Sequence, residues 1–204
     1  MSEFEPQLLE AVFGPASATM RRYADLLCDR GVAWGLLGPH EAERIWSRHI
    51  LNCQALAGLI GSGASLIDVG SGAGLPGLVL AISRPDLEIT LLEPMLRRSQ
   101  FLADAVDELE LGQRVEVVRT RSQEHRRPAD VVVCRAVAVL ADLVPATAHL
   151  FEDGQLLAVK GERAAVEVAG AAPLLGRAGL RAEVLRPQVH PDLEPATVVR
   201  VRAA

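Results

Sequence analysis

Aromatic side chains are scarce in this 204-residue chain: four Phe, two Trp and one Tyr, 3% in all. Half of the residues are hydrophobic, so the core is expected to be aliphatic, and a closed, aromatic-lined pocket for a small molecule is disfavoured. Cysteine is nearly absent as well. Cys28, Cys53 and Cys134 are odd in number and far apart, which excludes a disulfide framework or a cysteine metal cluster and points to a reducing compartment. No apolar run approaches the roughly 18–20 residues that span a bilayer. The opening Met1-Ser2-Glu3-Phe4-Glu5-Pro6 is acidic and polar, the opposite of a signal peptide. The expectation is a soluble cytoplasmic protein. Positive charge is also short: a net charge of −5 does not advertise a nucleic-acid binder. Lysine is reduced to Lys160 alone, while Arg97, Arg98, Arg114, Arg119, Arg121, Arg126 and Arg127 make the middle third locally basic.

The length suits one α/β domain with a short extension. Residues 17–34 and 40–60 read as helices. In the second, Ile45, Trp46, His49, Ile50, Cys53, Leu56 and Ala57 recur at three-to-four spacing, with Glu41, Arg44, Ser47 and Arg48 falling elsewhere. Gly31 and the Gly38-Pro39 pair separate them. From residue 65 the pattern alternates. Strands are expected at 65–69, 88–92, 115–118, 130–134, 155–160, 181–185 and 196–202, and helices at 76–83, 95–109, 138–149 and 162–178. Such a βαβα repetition implies a parallel sheet covered on both faces, and Val131-Val132-Val133 is the continuous apolar run that sheet buries. The last two strands have no helix between them and read as a terminal hairpin. Gly61-Ser62-Gly63 is the joint between a helical extension, 1–60, and an α/β body, 61–204.

The densest signal is Leu66-Ile67-Asp68-Val69-Gly70-Ser71-Gly72-Ala73-Gly74-Leu75-Pro76-Gly77, an apolar strand running into a glycine turn. Gly70, Gly72 and Gly74 leave bare backbone for a bound molecule, and Pro76 suits the first turn of a helix. The grammar is that of a nucleoside-cofactor site at the edge of a parallel sheet. The spacing G-x-G-x-G departs from the dinucleotide fingerprint G-x-G-x-x-G, with Leu75 where its last glycine falls. Glu93 ends the next strand about 20 residues on, placed to accept from ribose hydroxyls. NAD and S-adenosylmethionine both carry such a ribose, so Glu93 alone leaves both open. No Lys-Ser/Thr follows the loop, which excludes a P-loop.

The turn 68–77 resembles that of the ribosomal small-subunit methyltransferase G family, also called glucose-inhibited division protein B. The resemblance continues in Trp46-Ser47-Arg48-His49-Ile50-Leu51-Asn52-Cys53, Leu91-Leu92-Glu93-Pro94-Met95-Leu96-Arg97-Arg98, Cys134-Arg135-Ala136 and Val159-Lys160-Gly161-Glu162. It implies an α/β class I methyltransferase with a Rossmann-like, seven-stranded, mostly parallel sheet behind an N-terminal helical extension. It also implies S-adenosylmethionine as cofactor, S-adenosylhomocysteine as product, and N7 of guanosine 527 in 16S rRNA as acceptor. The implied cofactor contacts are Gly70, Gly72, Gly74, Leu75, Glu93, Ser122, Gln123 and Arg135. Many members carry an acidic residue where Gln123 stands, whose amide can still bond an adenine edge.

Guanine N7 is an unprotonated acceptor, so its methylation needs no general base. None is assigned: the chain shows no catalytic triad, paired carboxylates or metal-ligand spacing. The residues placed to meet RNA are Arg48, His49, Arg97, Arg98, Arg121 (with Arg126 and Arg127) and Lys160. His40, His125, His149, His190 and Cys134 read as ordinary structural residues. With an acidic balance the expected partner is structured 16S rRNA, in the 30S subunit or an assembly precursor, met by a monomer without membrane or metal. The rival readings are a methyltransferase for another RNA base or a small molecule, an NAD oxidoreductase, and a non-catalytic assembly factor.

Overall fold

In the computed structural model, which describes residues 6–204, a helical N-terminal stretch packs on a seven-stranded sheet. The acidic stretch Met1–Glu5 lies outside the described residues. The helical stretch begins with α1 (Pro6–Phe13), not foreseen in the sequence, which buries Leu9 and Phe13. Next comes α2 (Ser17–Leu26), extended by a π-helical turn at Leu27–Gly31. The helix expected over 40–60 is instead segmented: a 3-10 turn Pro39–Arg44, a π-helical turn Ile45–Ile50, α3 (Leu51–Gln54) and a last turn Ala57–Leu59. Its cause is tertiary. The wider π turn puts Ile45, Trp46, His49 and Ile50 inward together, and Arg44, at φ −120° and ψ 25°, breaks the helical path before it.

The α/β body runs β1 (Ser65–Val69), α4 (Gly77–Ser83), β2 (Glu88–Leu92), α5 (Leu96–Glu108), β3 (Val115–Val118), β4 (Val131–Arg135), α6 (Leu140–Thr147), β5 (Gln155–Lys160), α7 (Ala164–Arg177), β6 (Leu180–Leu185) and β7 (Thr197–Ala203). Sheet order is β3-β2-β1-β4-β5-β7-β6. The first five strands are parallel; β7 inserts antiparallel between β5 and β6, making the expected hairpin. Alternate residues of one strand face opposite layers, as period two requires. Leu66, Val131 and Val133 join a core with the helical stretch, α4 and α5, whereas Ile67, Val132 and Cys134 join one with α6 and α7. Helical stretch and sheet therefore share one cluster. Chain order reverses between β1 and β4, and the carboxyl ends of those strands open the crevice in which open α/β sheets bind ligands.

Candidate active site

The crevice is built by the turn between β1 and α4. Backbone N–H groups of Gly70 and Ser71 donate to the Leu92 carbonyl at 2.9 and 3.1 Å, tying the turn to the end of β2. Gly70, Gly72 and Gly74 all take positive φ, +68°, +58° and +96°. Gly74 is doubly required, since a Cβ there would collide with the Leu78 side chain and lie 2.9 Å from the Tyr23 hydroxyl. Pro76 follows a cis peptide and precedes α4 as its cap, a correction to the expectation that it sits inside the first turn. Gly77 opens that helix, because its N–H must approach the Asp68 carboxylate, donating to Oδ2 at 2.9 Å.

Asp68 is fully buried and its Oδ1 has no hydrogen-bond partner among the described residues. Burial lifts its carboxyl to about 7, against the pull of the Gly77 N–H and of Arg135. Glu93, also buried, accepts from the Gly72 N–H at 3.0 Å through Oε2 and from the Met95 N–H at 2.9 Å through Oε1. It thus braces the glycine turn against the start of α5, with lone pairs left on both oxygens. Tyr23, buried in α2, donates its hydroxyl to the Ala73 carbonyl at 2.8 Å, fixing the other side of the turn.

Two cavities flank the segment between β4 and α6. A cavity of about 280 Å³ has Val69, Gly70, Leu92, Pro94, Ser122, Gln123, Arg121 and Leu143 in its walls. His149 holds the floor of that loop, with Nε2 3.1 Å from the carbonyl oxygens of Ser122 and His125. A wider cavity of about 730 Å³ is bounded by Glu41, Arg48, His49, Arg135, Lys160 and Glu167. Val137 and Ala138 belong to both, and a Cβ on Gly70 would stand 3.0 Å from Val137. In the wide cavity Arg135 Nη1 lies 2.7 Å from His49 Nδ1, and His49 Nε2 2.5 Å from Glu41 Oε2. Arg48 pairs with the other Glu41 oxygen at 3.3 Å. Lys160 donates to the Ala138 carbonyl at 2.6 Å and pairs with Glu167 at 2.8 Å, and Glu167 accepts from the Leu140 N–H at 3.0 Å.

A family model described as GidB, rRNA small subunit methyltransferase G, matches residues 16–180. The chain belongs to this family. Ribosomal RNA small subunit methyltransferase G of Mycobacterium avium (strain 104) is 51% identical over 215 residues, spanning 98% of this chain and 83% of that protein. Among solved structures, a SAM-dependent O-methyltransferase from Thermotoga maritima is similar with a TM-score of 0.56 at 18% identity, over 74% of this chain and 63% of that one. P. horikoshii TYW2 in complex with MeSAdo is similar at 0.58 and 13% identity, over 74% and 61%. At such identities the likeness is one of fold: that of class I, S-adenosylmethionine-dependent methyltransferases.

Within this chain the residues singled out from the sequence divide unevenly. Gly70, Ser122 and Gln123 line the narrow cavity, as does Arg121, which had been placed toward RNA. Arg135, placed toward the cofactor, lines the wide cavity with Arg48, His49 and Lys160. Leu75 turns its side chain into the core and Gly72 meets Glu93. Arg97 and Arg98 line neither cavity; Arg97 lies over the Trp34 ring, 5.8 Å from its centroid. Sequence reasoning passed over Asp68, Glu41, Tyr23 and Val137. Only Asp68 had a local signal, as the acidic residue that opens the glycine motif. Among the described residues no helix is long and apolar enough to cross a membrane.

Proposed function

We propose that this chain transfers a methyl group from S-adenosylmethionine to N7 of a guanine, guanosine 527, in the 16S rRNA of the small ribosomal subunit. The observation that carries the reading is the pair of cavities meeting at Val137 and Ala138, one fitted to a nucleoside and the other rimmed by arginines.

The residues of the narrow cavity fit the cofactor. Gly70 offers backbone without a side chain, Val69, Leu92 and Leu143 supply apolar walls for a base, and the Gln123 amide reaches its polar edge. Outside those walls, Glu93, just past the end of β2, keeps lone pairs for ribose hydroxyls, and the buried Asp68 Oδ1 is an unpaired acceptor beneath the turn. Bound S-adenosylmethionine supplies an electrophilic methyl on a sulfonium. The protein's part is alignment and exclusion of water. Arg48 and Arg135 face the wide cavity as donors for RNA phosphate or another oxyanion. Guanine N7 presents a lone pair, so no side chain has to remove a proton. A base held inside folded RNA reaches the site by being splayed out of its stack.

In this reading the helical stretch and the sheet act as one monomeric unit in the cytoplasm on a 30S subunit or its precursor. The test is tritiated S-adenosylmethionine with 30S subunits from cells lacking this gene, followed by mapping of the modified base. Label at guanine N7 is expected, with 30S or assembled precursor well above bare transcript. Label on another base or on a small molecule alone, or cofactor binding without transfer, overturns the reading.

A further inference from the structure

Of the two arginines in the wall of the wide cavity, Arg135 is the one with no carboxylate ion-pair partner among the described residues. Arg30, Arg48, Arg84, Arg200 and Arg202 each pair with Glu or Asp. Half-buried at the end of β4, Arg135 instead directs Nη1 at His49 Nδ1, 2.7 Å away. A guanidinium carries five donors and no acceptor. Nδ1 must therefore be the acceptor and unprotonated, so the ring proton sits on Nε2. That proton points at Glu41 Oε2, 2.5 Å away. Burial and the Arg135 charge both depress the His49 pKa, consistent with a neutral ring. Glu41 in turn is held below the usual carboxylate range by its bond to His49. The line Glu41–His49–Arg135 thus crosses from the helical stretch to the sheet edge with every proton assigned by geometry.

We propose that His49 is a positioning residue: as the neutral Nε2–H tautomer braced by Glu41, it aims the unneutralised Arg135 guanidinium into the wide cavity to receive an oxyanion. The oxyanion is a carboxylate of the cofactor or a phosphate of the RNA, and this assignment rests on the methyl-transfer reading above. His49 itself then meets no RNA. One Arg135 donor is spent on the imidazole, and the others remain for the anion.

Three measurements test it. Nitrogen-15 spectra of labelled histidine are expected to show an unprotonated Nδ1 and a protonated Nε2 that vanish in His49→Gln; a protonated Nδ1 overturns the proposal. His49→Ala is expected to lower kcat/KM for undermethylated 30S by about 10- to 100-fold, the cost of a misplaced group. His49→Gln, whose amide can accept from Arg135 and donate to Glu41, is expected to recover most of that loss. In an Arg135→Gln background, His49→Ala should cost little more, since nothing is left to aim. Additive losses, or a folded His49→Gln as poor as His49→Ala, overturn the proposal. If His49→Ala fails to fold, Glu41→Ala replaces it in the cycle. Weakened S-adenosylhomocysteine binding by calorimetry marks a carboxylate; intact binding with a raised KM for 30S marks a phosphate. Wild type that transfers no methyl to 30S sinks the proposed function, while the spectra and the calorimetry still decide the role of His49.

Discussion

At the scale of single residues, Asp68 couples the cofactor cleft to stability. Its carboxyl is raised to about 7 from an ordinary 3.8, because burial penalises the charged form. An acid that holds its proton more tightly folded than unfolded favours the fold at low pH. That contribution is full below the unfolded value and is lost as pH climbs through 3.8 to 7. Asp68→Asn keeps an acceptor for the Gly77 N–H and removes the titration. Its urea midpoint relative to wild type is expected to improve between pH 5 and pH 8, by roughly 3 kcal/mol at most. A difference that stays level with pH would show an ordinary carboxyl. Gly77 makes the opposite point. A Cβ there would run into Leu91 and stand 2.7 Å from Asp68 Oδ2, atoms fixed in the core. Gly77→Ala is expected to cost about 1–3 kcal/mol by overpacking, read as a lower urea midpoint together with weaker S-adenosylhomocysteine binding.

At the scale of elements, the link between β4 and α6 decides how the two cavities relate. Its Ala136 takes φ +56°, a left-handed value rare outside glycine. Lys160 on the Ala138 carbonyl and Glu167 on the Leu140 N–H hold the segment from β5 and α7. Lys160→Met leaves that carbonyl and Glu167 without their cation. The loss of a charged hydrogen bond, roughly 1.5–3 kcal/mol, should appear as faster amide exchange across residues 137–140. Unchanged exchange with only a raised KM for 30S would return Lys160 to a phosphate contact. This pairing was not legible in the sequence, where Lys160, the single lysine at a strand end before Gly161, reads as a phosphate or substrate contact. The strands were legible throughout, because buried parallel strands are short apolar runs punctuated by glycine and polar turns. The helical stretch was legible as helical, with α2 falling within the expected 17–34, but its segmentation over 40–60 was not. In one continuous α-helix, Glu41 and His49, eight residues apart, would be separated by about 12 Å along the axis. The break at Arg44 folds them into contact, and nothing local in the sequence announces a break set by the burial of Ile45, Trp46 and Ile50.

At the scale of the whole molecule, a net charge of −5 leaves little long-range attraction for a polyanion. What is basic is local. Arg48 and Arg135 line the wide cavity. Arg44 joins Arg48 in an adjoining groove of about 400 Å³ that also contains Asp192 and Glu194. Arg48 is half-neutralised by Glu41, and acidic side chains in the groove repel phosphates at its far side. The wide cavity and its groove therefore offer about three arginine contacts to the backbone of a looped RNA. Counterion release then sets a slope of log kcat/KM against log salt near about −2 for single-stranded contacts. The measurement is initial rate on undermethylated 30S at subsaturating subunit across a potassium chloride series, with S-adenosylmethionine saturating. Arg44→Gln and Arg48→Gln should each shallow that slope by about 0.7. A slope steeper than about −5 would demand a basic face that these cavities do not contain. A flat one would mean that the RNA is held by shape and stacking, with the arginines serving the reacting centre alone.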